Sequence, residues 1–242
     1  MPVEASDFVT AVPPPPECLP ATAAIVGVKV YLVQQALGIV GHKERYDATT
    51  VAAVRAFQTA HDLEVDGVVG PLTWAALPID EPYCIDQYVA QPTVPLEASA
   101  EQRIEAMIDY AEAQLGLPYI WGGAGPMGFD CSGLALQAVY AGGRVVPGLD
   151  TNLHVGADFR TTHVLYESDL PHVPLAQRRR GDLVFFGSPI THMAIYLGHG
   201  RILEAVRPVI RVADLPADGL SIQPMVVRPF PRPGEQPEPG SR

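Results

Sequence analysis

Apolar side chains recur at three- and four-residue spacing in the first half of the chain. Val30, Val33 and Leu37 form one such row, and Val51, Val54 and Phe57, with Leu63 a little beyond, form a second. In "DGVVGPLTWAAL" a turn at Asp66-Gly67 and a break at Gly70-Pro71 precede a third short helix that ends near Leu77. "SAEQRIEAMIDYAEAQLG" predicts a longer helix capped by Ser99, with Ile104, Met107, Ile108 and Ala111 on one face and Gly116 at its end. Glycines and Pro126 then forbid regular structure until about Asp130. The helical period resumes in "CSGLALQAVYA" and stops at Gly142 and Gly143, so Cys131 sits at a helix start.

From Gly181 onward the pattern changes to short β-branched or aromatic runs separated by Gly, Pro or Asp. These are Leu183 to Phe186, then "HMAIYL", "RILEAV", "IRVADL" and "PMVVRPF". Helices first and strands second, with little alternation, predict an α+β domain on an antiparallel sheet. Residues 144 to 180 read as loop, and the "RGD" at 180 to 182, placed just before a strand, reads as a turn and not an adhesion motif. The organisation expected is a proline-rich segment at 1–20, which "PPPP" at 13–16 holds extended as a tether, and a small three-helix domain at 21–78. A linker at 79–100, the α+β domain at 101–230 and a disordered tail at 231–242 complete it.

Composition narrows the partners. Sixteen basic against 27 acidic residues give a net charge of -11, which excludes a phosphate-backbone partner such as nucleic acid. The best apolar run, "TAAIVGVKVYLV", is interrupted by Lys29 and falls short of a membrane span. "MPVEASDFVTAVPPPPECLP" lacks the basic and apolar regions of a secretory signal, so export is expected through a signal already removed or by another route. Three cysteines leave an odd one over. Cys18 and Cys84 flank the helical segment and are the pair able to close it, with two unrelated buried thiols as the alternative; Cys131 is left free. A bridge would suit three short helices that bury little surface, and implies an oxidising compartment.

A cysteine at a helix N-terminus faces unpaired backbone N–H groups and the positive end of the helix dipole, which favour the thiolate. A base is supplied if "HMAIYLGHGRILEAV" is a hairpin turning near Gly198. Residue numbers summing to about 396 are then opposed, and His192 faces Glu204. The carboxylate would fix the ring's tautomer and orientation, completing a Cys131, His192, Glu204 triad. Register is decisive, because a slip of one residue sends the two side chains to opposite faces.

Two resemblances extend this. "VYLVQQAL", "TVAAVRAFQTAHDL" and "VDGVVGPLTWAAL" resemble the small peptidoglycan-binding domain attached to many cell-wall hydrolases. "GLPYIWGG", "FDCSG", "GDLVFFG", "HMAIYLGHGR" and "LEA" resemble the ordered motifs of the NlpC-type cell-wall cysteine peptidases, which have a reduced papain-like fold. That resemblance implies Cys131 as nucleophile, His192 as base and Glu204 in the third polar position. It also implies Tyr119 near the thiol as an aid to oxyanion binding, and Asp130 and Ser132 as contacts for the amino end of a peptide substrate. The activity implied is hydrolysis of the bond from the γ-carboxyl of D-glutamate to diaminopimelate, or to lysine, in peptidoglycan stems. It needs no cofactor and no metal, and a monomer acting outside the cell, in the wall or periplasm, is expected. The alternatives are a non-catalytic wall-binding protein and an amidase cutting between muramic acid and L-alanine at the same thiol. The chain departs from the family pattern in "RRRGDLVFF", where a proline is usual before Gly181, and in the long stretch before it.

Overall fold

A computed structural model describes residues 8–14, 18–23, 25–41, 44–146, 149, 161–215, 221–232 and 234–235. Residues 15–16 of the polyproline run, 150–160 of the loop region and 236–242 of the expected disordered tail lie outside the described residues.

Three helices make the small domain: α1 (Val28–Ala36), α2 (Ala48–Ala60) and α3 (Pro71–Ala76). Asp47 caps α2 by accepting the Thr50 N–H at 2.9 Å, and Pro71 opens α3, where its missing N–H costs nothing. Val30, Val33, Val54, Val69 and Trp74 fill the core between them. Cys18 and Cys84 are bridged with Cα atoms 5.1 Å apart, 66 residues apart in sequence, and Cys131 is free. On the chain-entropy account such a crosslink contributes about 4 kcal/mol. Lys29 is buried beneath this clasp, with its ammonium 2.6 Å from the Leu19 carbonyl and 2.9 Å from Asp86.

The larger domain begins with α4 (Ala100–Glu112), whose Ser99 and Gln102 form a reciprocal capping box. A two-strand ribbon, β1 (Ala124–Gly125) and β2 (Gly128–Phe129), leads into α5 (Cys131–Ala141). Every residue of α5 is buried, because it lies between α4 and the sheet, and this explains its apolar composition on all sides. The sheet is antiparallel, with spatial order β3-β8-β4-β5-β6-β7. Its strands are β3 (His172–Pro174), β4 (Leu183–Phe186), β5 (His192–Gly198), β6 (Arg201–Val206), β7 (Val209–Asp214) and β8 (Met225–Val227). Leu183, Phe185, Met193, Ile195 and Leu203 face the helices, while Val184, Phe186, Ala194, Tyr196 and Ile202 form a second apolar layer on the other face. The α+β architecture is as the pattern predicts.

Between α5 and β4 the structure differs from the loop reading. A short helix, α6 (Thr162–Tyr166), precedes β3, and His163 and His172 belong to these elements. Neither is long enough to show a period in sequence. The proline-rich segment also does more than tether. Val9 donates its N–H to the Gly143 carbonyl at 2.9 Å, Val12 is buried and exchanges hydrogen bonds with Gln91, and Phe8 lies under the Arg103 guanidinium. The linker is likewise laid on the larger domain, with Ala90 N–H bound to Gln137 Oε1 at 2.7 Å.

At the Arg180-Gly181-Asp182 turn, Gly181 has φ 90° and a Cβ there would stand 2.7 Å from Ile104. Asp182 is buried. It accepts two hydrogen bonds from Arg228 at 2.8 Å each, and another from the Arg179 N–H at 2.8 Å. Its carboxylate therefore knits the start of β4 to the end of β8 and is not presented to a receptor.

Candidate active site

The site is assembled where α5 begins and β5 begins. Asp130 is the N-cap of α5. Its Oδ1 accepts the Gly133 N–H at 2.7 Å and the Ser132 hydroxyl at 3.0 Å, and its Oδ2 accepts the Gly122 N–H at 2.9 Å. The acidic residue before the cysteine thus fixes the helix start and ties it to the preceding glycine loop. Asp130 and Ser132 stand beside Cys131 with their polar groups turned to each other, and neither lines the cleft.

The Cys131 thiol borders a cleft that is also lined by Arg45, Tyr119, Trp121, Thr191, His192, Ala205, Val206 and Arg207. Thr162 Oγ1 lies 3.6 Å from the Cys131 sulfur. The imidazole of His192 stacks on Phe186 and bonds Glu204 Oε2 through Nε2 at 2.7 Å. That leaves Nδ1 as the nitrogen Glu204 does not take, and the ring lines the same cleft as the Cys131 thiol. Glu204 is 1% exposed, and its other oxygen, Oε1, accepts Arg211 Nε at 3.0 Å.

The hairpin register differs from the expected one. Ile195 pairs with Leu203 and Tyr196 with Ile202, so opposed numbers sum to 398, because the turn is centred about one residue beyond Gly198; an irregularity between Tyr196 and Gly198 shifts the pairing by one more at the turn itself. A displacement of two keeps every side chain on its face. Glu204 then sits diagonally from His192 and its length closes the gap. Arg211, which sequence reasoning missed, is the direct cross-strand partner of Glu204 on β7. Pairing "RILEAV" with "IRVADL" as a second hairpin would have revealed it. Thr162 and Arg207 carried no such signal.

Electrostatics follow from this packing. Burial, the largest influence on His192, disfavours its proton, but hydrogen bonds and charge from Cys131 and Glu204 together prevail and raise its pKa from the usual 6.5 to about 9. Burial likewise works against the charged form of Glu204, yet His192 and Arg211 hold its pKa below the ordinary 4.5. Burial pushes the Tyr119 phenol well above 10, so it stays a donor. Because the folded-state pKa of His192 is raised, the proton's contribution to stability is complete below the ordinary value and is lost as pH rises through about 9. We expect Cys131-dependent turnover to fall above the same pH, with the limb moving to lower pH in Glu204→Gln. A pH profile of kcat/KM checks this, and a profile with no decline well above pH 9 would refute it. Among the described residues no group of three or more His, Cys, Asp or Glu side chains is placed to hold a metal ion.

Residues 116–225 match the NlpC/P60 family, and residues 26–77 match the putative peptidoglycan binding domain. A solved P60 domain from an antigen of M. avium subspecies paratuberculosis is 32% identical, over 55% of this chain and 98% of that one, with a TM-score of 0.44. The chain carries an NlpC/P60 domain. Among curated proteins, peptidoglycan endopeptidase RipB of Mycobacterium tuberculosis is 33% identical over 145 residues, which is 54% of this chain and 55% of RipB. The chain thus spans about half the length of that relative. Another NlpC/P60 structure, RipD of Mycobacterium tuberculosis, is 29% identical over 52% of this chain and 97% of that one, with a TM-score of 0.41, and is described as a non-catalytic domain protein adapted to peptidoglycan binding. Cys131, His192 and Glu204 all fall within the NlpC/P60 match, and Arg45 falls within the other.

Proposed function

We propose that the chain is a peptidoglycan hydrolase that cuts the bond between the γ-carboxyl of D-glutamate and diaminopimelate, or lysine, in stem peptides. The observation that carries this reading is the Glu204–His192 hydrogen bond at a cleft that the Cys131 thiol, at the mouth of α5, also lines. In this mechanism the sulfur, as thiolate, attacks the γ-carbonyl carbon and forms a C–S bond. Tyr119 and the N–H groups at the start of α5 donate to the oxygen that gains charge. The C–N bond then breaks, and the amine of diaminopimelate leaves with the proton from His192. Water adds to the thioester carbonyl as His192 takes its proton, the C–S bond breaks, and the carboxylate departs. Glu204 keeps the ring oriented throughout, and Arg211 keeps Glu204 oriented.

The peptidoglycan-binding match of residues 26–77 and the name of RipB support the wall as the substrate, and the disulfide supports an oxidising site of action outside the cytoplasm. No helix among the described residues is long and apolar enough to cross a membrane. RipD supplies the opposing case of an NlpC/P60 domain without catalysis, and the intact triad here favours hydrolysis. The test is mass analysis of the fragments that purified protein releases from peptidoglycan. Release of a fragment whose new amino terminus is diaminopimelate or lysine is expected; a fragment beginning at L-alanine would instead name an amidase.

A further inference from the structure

The catalytic cleft is not built by the larger domain alone. Ile120 and Met127 pack into the apolar core of the three-helix domain, and a Cβ at Gly122 would come within 2.5 Å of Val26. Glu44 of the small domain accepts the Trp121 N–H at 3.2 Å and pairs with Arg207 at 2.7 Å. The small domain is therefore seated against the rim of the cleft. Its Arg45 stands over the Trp121 ring, 5.5 Å from the centroid, and Trp121 is 44% exposed.

Acidic residues outnumber basic ones in the whole chain, yet the cleft is lined by two arginines and by no carboxylate among the described residues. Arg207 has its charge met by Glu44, which holds it over Tyr119. Arg45 has no carboxylate partner among the described residues. A guanidinium resting on an indole is positioned by the ring while its N–H edge stays available, and that edge fits a carboxylate.

We propose that Arg45, placed on Trp121, forms a subsite for a carboxylate of the peptide substrate, so that the three-helix domain selects substrate at the catalytic cleft. This rests on the reading of the cleft as a stem-peptide site. A stem tripeptide offers such carboxylates on D-glutamate, next to the scissile bond, and on diaminopimelate. An amidated residue at the recognised position would lose the ion pair and leave the guanidinium facing a neutral group.

The test uses full-length Cys131→Ala protein and calorimetric titration with the tripeptide L-alanyl-γ-D-glutamyl-diaminopimelate, and with analogues in which one carboxylate at a time is a carboxamide. One amide is expected to bind about tenfold more weakly than the acid, and its position names the recognised carboxylate. Arg45→Gln in the same background is expected to weaken the acid by a similar factor while leaving that amide's affinity unchanged, and Arg45→Lys to keep most of the preference. Equal affinities for acid and amides, no binding of any of them, or an Arg45→Gln loss shared equally by acid and amide would overturn the inference. Fragment masses from the wild-type protein judge the cleavage reading separately. Cleavage at the γ bond without carboxylate preference sinks only the subsite, and carboxylate preference without that cleavage sinks only the bond assignment.

Discussion

Replacing His192 with alanine is expected to lower kcat for stem-peptide hydrolysis about ten-thousand-fold, the upper end of what a positioned acid and base supplies. The loss is large because one ring serves both half-reactions, giving a proton to the leaving amine and then taking one from water. It shares its cleft with the nucleophile and acts with it as a unit, so the effects of removing either residue will not add. Glu204→Gln should cost less, about a hundredfold, since the amide can still touch the ring but no longer favours the protonated imidazole. In that variant Arg211 also loses the charge it pairs with across the strands. Steady-state kinetics on a defined stem peptide measures both losses. Comparable rates for wild type and His192→Ala would remove the imidazole from the mechanism.

Asp182→Ala should destabilise the fold by about 3–5 kcal/mol, because it strands the Arg228 guanidinium in a buried position. Asp182 is 1% exposed and meets Arg228 through two bonds of 2.8 Å, while Glu235 approaches that guanidinium no closer than 3.7 Å and offers weak compensation. For a chain of this size the expected fall in Tm is about 10 °C. Thermal melts under the same buffer and ionic strength check it. The double variant Asp182→Leu with Arg228→Met should recover much of the loss, since an apolar pair leaves no buried charge uncompensated. A single variant that melts with the wild type would show that the pair holds nothing together.

Much of this was legible from the chain. The helix start at Cys131 could be read because glycines and Pro126 forbid any earlier helix, and the apolar run behind it is unbroken to Ala141. The shared face of His192 and Glu204 could be read from alternation alone. Their register could not, since the turn is centred about one residue beyond Gly198, which moves the pairing by two, and the Gly198-His199-Gly200 run does not say on which of its residues the turn centres. Asp130 shows a different limit. Its oxygens cap α5 and hold the Gly122 loop, a role beside the substrate contact that resemblance implied and one that only three-dimensional contacts reveal. The meeting of Glu44 with Arg207, 163 residues apart, leaves no local trace at all. Nor does the packing of Phe8 and Val12 on the larger domain, because a segment rich in proline reads as extended whether or not something lies beneath it.

The central claim is that the Cys131 sulfur performs the bond cleavage. Its most direct test compares wild-type and Cys131→Ala protein by mass spectrometry of fragments released from purified peptidoglycan, after circular dichroism shows both to be equally folded. Fragments beginning at diaminopimelate or lysine should accumulate with the wild type and be absent with the variant. The same fragments released at an undiminished rate by Cys131→Ala would contradict the account.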